Sequence, residues 1–311
     1  MLVVAALGGN AILRRGEPMS VSSQRAAIAL ACVPLASIAQ NHDLVVSHGN
    51  GPQVGLLALQ AASYDRISEY PFDVLGAQTE GMLGYLIEQE LGNRLGNERP
   101  IATLVTRTLV DPNDVAFGDP TKFVGPIYTE AEARELAESR GWSMKADGDS
   151  MRRVVPSPVP LRILETQPIR WILEKKGVVV CAGGGGVPTT HDPVTDLVVG
   201  IEAVIDKDMA SAVLARDLAA DLLVIATDVD GVYTDWGGPD QRLIAKAHPD
   251  ALDPTDFPAG SMGPKVRAAA QFARETGGTA VIGSLHDIDA MFAGEAGTAI
   301  SSDATGIEYR P

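Results

Sequence analysis

Short apolar runs alternate with longer amphipathic stretches along most of this 311-residue chain. The apolar runs are nearly continuous and rich in valine, leucine and isoleucine, which is typical of strands covered on both faces. The predicted strands are 2–7, 43–48, 101–106, 178–182, 221–227 and 279–283, and the predicted helices are 22–40, 72–95, 165–177, 206–220 and 261–278. Strands separated by helices predict an α/β fold with a mostly parallel sheet and helices on both of its faces.

One region breaks this alternation. Residues 109–160 are rich in proline, charged residues and short polar segments, and they include one predicted helix at 129–140. Pro156, Pro158 and Pro160 predict a stiff, extended return to the main fold. Because a structureless loop of this length is rare in a compact domain, we expect a lid or small subdomain here.

Composition and charge exclude several classes of partner. The chain is 45% hydrophobic and has a net charge of −15, whereas nucleic-acid and anionic-membrane surfaces need a clustered positive field. The start MLVVAALGGN has no basic leader and runs into a glycine turn, which predicts a strand rather than a signal peptide. We find no window of about 18 uninterrupted apolar residues, as a membrane helix would need. Cys32 and Cys181 lie far apart in apolar segments, so we expect buried thiols and a reducing compartment.

Three glycine clusters each follow a predicted strand: LGGNAI (7–12), SHGNGPQVG (47–55) and CAGGGGVP (181–188). In a parallel sheet all three meet at the carboxyl edge, where ligands bind in open α/β folds. Glycine lets a backbone N–H approach a ligand closely, and a helix N-terminus behind it attracts an anion. One such cluster is equally well a tight turn, but three at one edge favour an anion site.

These clusters differ from the common phosphate-binding motifs. The chain has no G-x-x-x-x-G-K-[ST] sequence, and the G-x-G-x-x-G that begins at Gly49 and Gly51 fails at Val54. A Rossmann-type dinucleotide site is therefore weakly supported. The order Asn50-Gly51-Pro52 predicts the start of a helix, because proline tolerates the first helical position.

Three lysines stand in a context that suits phosphate chemistry. Lys207 and Lys265 lie at predicted helix starts, and Lys122 lies in the lid region between prolines. Phosphoryl transfer needs positioned positive charge more than covalent chemistry, although each lysine could also be an ordinary solvated charge. Asp206 and Asp208 flank Lys207 and fit three interpretations: metal ligands, helix-start carboxylates, or partners that hold lysines in place. The acidic segment TDVDGVYTD (227–235) lacks the late glutamate of a calcium loop, and we do not expect calcium there.

Seven segments in order resemble the carbamate kinases of the amino-acid kinase superfamily. They are ALGGNAI, VVSHGNGPQVG, DPTKFVGPIYTEAEA, RRVVPSP, GGGGVP, IEAVIDKDMASA and GSMGPKVRAA. The resemblance extends over about residues 2–300, which is nearly the whole chain. Several ordered segments are much more specific than any single glycine motif.

This resemblance implies an open αβα sandwich with two lobes. Residues 1–200 would form the N-terminal lobe with the carbamate and carbamoyl phosphate site and the lid subdomain at about 109–160. Residues 201–311 would form the nucleotide-binding lobe. The implied activity is reversible phosphoryl transfer between ATP and carbamate, giving ADP and carbamoyl phosphate with Mg²⁺, often in the direction of ATP synthesis. The resemblance also implies a homodimer and a cytoplasmic enzyme of arginine metabolism.

The resemblance assigns roles to individual residues. Lys207 and Lys265 would stabilise the phosphoryl group in flight, Asp208 would orient them, and Lys122 would reach in from the lid. The residues that would line the carbamate and phosphoryl site are Gly8, Gly9, Asn10, Gly49, Asn50, Gly51, Gly184 and Gly185. Those that would hold the nucleotide are Thr227, Asp228, Val229, Tyr233, Met262 and Gly263. No protein side chain is assigned to Mg²⁺, which the nucleotide phosphates would carry.

Two lid positions depart from the family pattern. Phe123 replaces the usual proline after the lid lysine, and Met151 replaces the tryptophan of a G-W-R segment, with Trp142 nearby. Both changes leave the phosphoryl-transfer residues intact, and lid closure and substrate preference are the properties that they put in question. His48 shows no paired metal-ligand spacing with another histidine, and an anionic carbamate oxygen needs no general base. We therefore predict a positioning or packing role for His48.

Three other functions stay open from the sequence. The first is a related kinase that forms another small acyl phosphate. The second is a protein that binds nucleotide or carbamoyl phosphate without turnover, against which the intact Lys207, Asp208 and Lys265 count. The third and most distant is a dinucleotide-dependent dehydrogenase.

Overall fold

The computed structural model describes residues 1–14, 16–63, 70–96, 98–258 and 260–310, so Pro311 of the predicted C-terminal lobe lies outside it. The helices are α1 (Val21–Asn41), α2 (Gly51–Ala62), α3 (Phe72–Leu95), α4 (Glu130–Arg140), α5 (Thr166–Glu174), α6 (Lys207–Leu218), α7 (Met262–Thr276) and α8 (Ile288–Phe292). The first strands are β1 (Leu2–Leu7), β2 (Asp43–His48), β3 (Ile101–Thr103), β4 (Arg107–Val110), β5 (Lys122–Tyr128), β6 (Met144–Asp147), β7 (Ser150–Val155), β8 (Pro160–Ile163) and β9 (Val178–Val180). The later strands are β10 (Val187–His191), β11 (Val198–Gly200), β12 (Leu222–Thr227), β13 (Tyr233–Thr234), β14 (Arg242–Ala247), β15 (Thr279–Ser284), β16 (Thr298–Ile300) and β17 (Ile307–Tyr309).

The central sheet contains both halves of the chain. Its order is β13-β14-β16-β15-β12-β1-β2-β9-β3, with β17 paired to β14. The six strands from β15 to β3 run parallel, and antiparallel pairs occur only towards the β13 end of the described sheet. β1 has a first-half strand on one side and the second-half strand β12 on the other, which is the position where open α/β sheets form a ligand crevice.

Two hydrophobic cores cover the two faces of this sheet, as the continuous apolar strands predict. Val4 and its neighbours on one face pack with the apolar sides of α5, α6 and α7. Val3 and Ala5, which point to the other face, pack with α1, α3 and α8. Successive strand residues alternate between the two cores because side chains alternate across a sheet. The α/β sandwich with a mostly parallel central sheet is thereby confirmed.

Two smaller sheets extend the first half of the chain. One has the order β11-β10-β4-β8, and the other has the order β5-β7-β6. Strands β5, β6 and β7 with helix α4 form a separate α/β unit at residues 122–155, which we call the lid subdomain. It lies inside the predicted region 109–160, whose flanking strands β4 and β8 pair within the four-stranded sheet instead.

Helix α1 is the one candidate membrane span among the described residues, by length and composition only. The sequence predicted this helix at 22–40 but not a membrane span, because no uninterrupted apolar window of about 18 residues is present there. Half of its apolar window is buried inside the molecule, with Ile28, Cys32 and Leu35 in the core against α3. This burial is typical of the core helix of a soluble protein.

Most predicted elements are present, and the largest differences are two ends that lie three residues earlier than predicted. The strand predicted at 101–106 stops at Thr103, because the backbone N–H of Thr106 donates to the Glu80 carboxylate at 2.8 Å instead of a neighbouring strand. The helix predicted at 165–177 ends at Glu174, since Lys176 has a positive φ of 61° and the Gly177 N–H closes back on the Ile172 carbonyl. Hydrogen bonds outside the regular strand or helix pattern therefore end both elements before their apolar pattern ends.

A candidate active site at the carboxyl edge of the sheet

The three glycine loops meet at one edge of the sheet, as predicted. They follow β1, β2 and β9, which are neighbouring parallel strands. The Gly49 N–H donates to the Leu7 carbonyl at 3.2 Å, which joins the first two loops directly. Helix α2 starts at Gly51 with Pro52 in its first turn and Asn50 as its N-cap. The positive end of a helix therefore faces this edge.

The loop of residues 183–186 is buried, and its glycines are required by packing. Gly184 has a φ of +65°, and a Cβ there would lie 2.0 Å from Nδ2 of Asn50. A Cβ at Gly185 would lie 2.6 Å from the Ile205 carbonyl oxygen. Of the two glycines predicted to line the substrate site, Gly184 thus packs against Asn50, whose Nδ2 donates to Thr79, and Gly185 packs against Ile205. The loop therefore packs against Asn50, a residue of the predicted anion site, and holds it in place.

The two predicted helix-start lysines meet on one carboxylate. Asp208, in the first turn of α6, has its side chain 5% exposed. One of its oxygens accepts from Nζ of Lys207, and the other accepts from Nζ of Lys265 at 2.9 Å. The Lys207 stem also passes Gly49, where a Cβ would lie 3.6 Å from its Cδ. The network therefore connects α6, α7 and the second glycine loop.

Lys122 joins the same network from the lid subdomain. Its Nζ donates to Oδ2 of Asp206 at 2.8 Å. The other oxygen of Asp206 accepts from the backbone N–H groups of Asp208 and Met209, so it caps α6. Of the three interpretations of the two aspartates, the geometry favours helix start and lysine partner, and both residues lie within one cluster with the three lysines.

Burial and neighbouring charges perturb these groups in opposite directions. Burial lowers the pKa of Lys207, Asp208 opposes this and Lys265 adds to it, so the pKa of Lys207 lies below its ordinary value. Burial also lowers the pKa of Lys122, but Asp206 and then Asp208 outweigh it, and the pKa of Lys122 lies above its ordinary value. The lysines hold the pKa values of Asp206 and Asp208 below the usual carboxyl range despite burial. The opposite charges of the cluster therefore oppose the cost of burying them.

A cavity of about 720 Å³ opens beside this cluster. Predicted site residues on its wall are Gly8, Gly9, Asn10, Thr227, Asp228, Val229, Tyr233, Met262 and Lys265. Nδ2 of Asn10 donates to Asp228 at 2.8 Å across it, and the ring of Trp236 packs edge-on against Tyr233. Lys265 belongs to both the cavity and the lysine cluster. The other predicted nucleotide residue, Gly263, lies beneath the wall, where its N–H donates to the Pro258 carbonyl.

Glu80 is a residue of this region that sequence reasoning missed. It lies 1% exposed on α3, where it accepts from the N–H groups of Thr106 and Gly183 and from the Thr106 hydroxyl, all within 2.9 Å. Burial raises its pKa to about 8 despite these donors. Its spacing from Leu83 and Ile87 places it on the buried face of α3, a signal that was available in the sequence.

His48 is buried at the end of β2 and is held by its own loop. Its Nδ1–H donates to the Gly49 carbonyl at 2.9 Å, and its ring fills the space where a Cβ at Gly183 would stand. Burial lowers its pKa to about 4, so the ring is neutral. These contacts match the predicted positioning or packing role.

The two unusual lid positions lie on neighbouring strands. Phe123 on β5 pairs with β7, and the guanidinium of Arg152 stands 5.8 Å from its ring centre. Met151 pairs with Tyr128 and Ala146 on the two sides of β7. These positions lie in the lid sheet and outside the lysine cluster.

Arg153 connects the lid subdomain to the main body, and Trp142 is the lid residue on which it stacks. The environment of Trp142 explains this arrangement. Trp142 is buried within the lid, and the guanidinium of Arg153 stands 4.0 Å from its ring centre. The same guanidinium lies 4.9 Å from the ring centre of Phe72, at the start of α3. The lid sheet also touches α2 backbone to backbone, since a Cβ at Gly55 would stand 2.3 Å from Gly125.

A class of protein is defined by three features together: the α/β sandwich, the glycine loops at the carboxyl edge of its sheet, and the lysine cluster beside them. The chain matches the sequence model of the amino acid kinase family over residues 1–284, and it belongs to that family. Within the family it belongs with the carbamate kinases. Curated carbamate kinases of Haemophilus influenzae and Rhizobium meliloti are each 55% identical to it, over 99% of this chain and 99% and 96% of theirs. A carbamate kinase structure from Giardia lamblia bound to AMP-PNP is 39% identical with a TM-score of 0.88, covering 96% of this chain and 98% of that one.

Proposed function

We propose that this protein catalyses reversible phosphoryl transfer between ATP and carbamate, giving ADP and carbamoyl phosphate. The observation that carries the proposal is the buried Asp208 carboxylate with Lys207 on one oxygen and Lys265 on the other. It stands at the edge where the glycine loops and the nucleotide-sized cavity meet. The 55% identity to curated carbamate kinases selects carbamate among small anionic acceptors.

The residues of the cluster supply positive charge to the transferring phosphoryl group. Lys207 and Lys265 would neutralise charge on its oxygens, and Asp208 would fix the direction of both ammoniums. Three lysines against two aspartates leave one net positive charge, in a chain of net charge −15. In a partly dehydrated site, such preorganised charge is often the largest contribution to catalysis.

The glycine loops would bind the acyl phosphate through backbone N–H groups. Gly49, Asn50 and Gly51 lie between His48 and the α2 N-terminus, and Gly8, Gly9 and Asn10 lie at the adjacent strand end. A Cβ at Gly9 or Gly51 would meet no protein atom within 4 Å, which leaves space for a ligand beside the backbone. Carbamate brings its own anionic oxygen as nucleophile, so the neutral His48 is not needed as a base.

The cavity would hold the nucleotide. Its volume of about 720 Å³ lies in the range of small-molecule and cofactor sites. Thr227, Asp228 and Val229 at the end of β12, with Tyr233 and Met262, would contact the nucleotide, while Lys265 would reach its phosphates. The Giardia lamblia relative was bound to AMP-PNP, an observation that supports nucleotide use by this fold.

Mg²⁺ fits this site as an ion carried mainly by the nucleotide. Within the described ranges, no three His, Cys, Asp or Glu side chains group as a metal site would need. When bound, Mg²⁺ would neutralise charge on the nucleotide phosphates. Asp228, held by Asn10 on the cavity wall, is the side chain that would face this ion or its waters.

We also propose a homodimer in the cytoplasm. Exposed apolar side chains on the β10–β11 hairpin, Val194, Leu197, Val198 and Val199, support an interface there, because exposed apolar patches mark contact sites. Two free, buried cysteines suit a reducing compartment. Light scattering in solution should give twice the monomer mass for the wild type, and Leu197→Asp should lower the measured mass towards that of a monomer. A monomeric wild type would contradict the dimer.

The decisive assay supplies carbamoyl phosphate, ADP and Mg²⁺ and measures ATP. We expect ATP formation well above the uncatalysed background, and we expect Lys207→Ala to lower kcat at least about a hundredfold. Arg267→Ala is the control, since Arg267 is an exposed cation two residues after the cluster lysine Lys265 on α7. Activity with acetyl phosphate and not with carbamoyl phosphate would replace the proposal with another acyl-phosphate kinase. ADP binding without turnover would indicate a binding protein.

A further inference from the structure

Asp206 lies at the contact between the lid subdomain and the lysine cluster. It immediately precedes α6, and its two carboxylate oxygens have different partners. Oδ1 accepts from the N–H groups of Asp208 and Met209 at 3.0 and 3.2 Å, and Oδ2 accepts from Nζ of Lys122 at 2.8 Å. One side chain therefore joins the helix that carries Lys207 to the lid strand β5.

The lid lysine has two anchors, and only one involves a side chain. The backbone anchor is Gly125, three residues further along β5, which touches Gly55 of α2 without room for a Cβ. The Lys122 stem extends from that strand, with its side chain 32% exposed, to the Asp206 carboxylate, which is 22% exposed. The long lysine side chain has several freely rotating bonds, so the strand alone does not fix Nζ.

The position of Asp206 in sequence makes this contact useful. Lys207 and Asp208 follow it directly, so the carboxylate that holds Lys122 is part of the same helix start that fixes the other two cluster lysines. The rigid N-terminus of α6 can thus set the position of all three ammoniums relative to one another. An ordinary helix cap would need the Oδ1 contacts alone.

We propose that Asp206 is a positioning residue for the reaction, which holds the lid lysine Lys122 against the phosphoryl site with the same carboxylate that caps α6. This inference rests on the proposed kinase function. The carboxylate keeps Lys122 at the place where the phosphate of carbamoyl phosphate enters. The ammonium of Lys122, the third cation of the cluster, is then already oriented when the substrate binds. The contact lies between lid and body, so it acts on binding of the acyl phosphate and leaves the nucleotide cavity unaffected.

Asp206→Asn separates the two roles of the side chain. Asparagine caps helices as well as aspartate does, but it lacks the charge that holds Lys122. We expect the KM for carbamoyl phosphate to rise about tenfold, the cost of a lost charge-assisted hydrogen bond, with the KM for ADP within about twofold. Asp206→Ala, which loses both roles, should show the same kinetic change and in addition a lower unfolding temperature.

A double-mutant comparison tests whether the effect passes through Lys122. In a Lys122→Met background, adding Asp206→Asn should change the KM for carbamoyl phosphate less than about twofold. Asp119→Asn is the matched control, because it breaks another aspartate–lysine pair that involves a lid lysine, Asp119–Lys145 at 2.6 Å, outside the cluster. It should leave both KM values unchanged.

Two results would overturn the inference. An unchanged or lower carbamoyl phosphate KM in Asp206→Asn would mean that the carboxylate is only a cap or that it withholds Lys122 from substrate. Full additivity with Lys122→Met would mean that Asp206 acts by another route. Failure of the kinase function itself is distinct, since the wild type would then form no ATP from carbamoyl phosphate.

Discussion

At the scale of single residues, one buried carboxylate organises the site. Asp208 accepts from two ammonium groups, and each of its oxygens has its own partner. A buried charge is tolerated where it is paired and hydrogen-bonded, and removing one member of such a set leaves the others uncompensated. Asp208 therefore makes it possible to keep two like charges close together at the point where a phosphoryl group would pass.

His48→Gln should keep substantial turnover, because the reaction transfers no proton and glutamine can still donate to the Gly49 carbonyl. The same change should alter the pH dependence of stability. The folded ring has a pKa of about 4, below the ordinary value of 6.5, so its contribution to stability is complete above pH 6.5. That contribution falls as the pH drops from 6.5 towards 4, by roughly 3 kcal/mol at most.

Chemical denaturation of the wild type and of His48→Gln at several pH values measures how the free energy of unfolding depends on pH. The wild type should lose stability across that interval more steeply than His48→Gln. A variant that folds normally but loses more than about a hundredfold in kcat would assign His48 a direct part in the reaction.

At the scale of elements, helix starts and glycine loops share one edge of the sheet. Helices α2, α6 and α7 begin beside it, and α2 and α6 have Asn50 and Asp206 at their caps. The parallel strand order places these starts together, and their dipoles add to the positive charge of the lysines. The glycines serve two different purposes there: Gly184 and Gly185 permit close packing, while Gly9 and Gly51 leave open space.

Gly51→Val tests the open space at the start of α2. A Cβ at Gly51 meets no protein atom within 4 Å. The free energy of unfolding of the variant should therefore lie within about 1 kcal/mol of the wild-type value. The valine would occupy the space of the acyl phosphate, and we expect kcat/KM for carbamoyl phosphate to fall at least about a hundredfold.

Gly81→Val is the matched control for this change. It makes the same substitution at an exposed position of α3, where a Cβ also meets nothing within 4 Å. Parallel assays and denaturant curves compare the two variants. Equal activity of Gly51→Val and Gly81→Val would remove Gly51 from the substrate site.

At the scale of the whole molecule, three contacts join the lid subdomain to the body in addition to the apolar packing of Val124 and Val155 on α2 and α3 and the hydrogen bond from Arg140 to the Ala62 carbonyl. They are the Lys122–Asp206 ion pair, the backbone contact of Gly125 with α2, and the stack of Arg153 between Trp142 and Phe72. The residues of these three contacts are absent from the wall of the cavity that would hold the nucleotide. Lid changes should therefore separate the two substrates kinetically.

Trp142→Ala should weaken the docking of the lid on α3. Loss of the buried ring removes the surface on which Arg153 stacks, and we expect the KM for carbamoyl phosphate to rise about tenfold. ADP affinity by calorimetry should stay within about twofold. Trp171→Ala is the control, because Trp171 is 59% exposed on α5. A rise in KM for both substrates, or a similar change in the control, would contradict a specific role of this contact.

The sequence by itself determined the sandwich and predicted most residues of the candidate site. Apolar runs buried on both faces predict a parallel sheet, and the glycine loops that follow β1, β2 and β9 must then share its carboxyl edge. Lys207 and Asp208 are neighbours in the chain, so their association was also readable from sequence. The resemblance over nearly the whole chain supplied carbamate, which no single residue indicates.

Only the tertiary structure decided which side chains meet. Lys122, Asp206 and Lys265 come from three elements far apart in sequence, and their contacts depend on how the lid and α7 pack against α6. The backbone bonds of Glu80 to Thr106 and Gly183 connect residues 26 and 103 positions apart. Periodicity fixes the face on which a residue lies, but the partner of a buried charge depends on the packing of the whole chain.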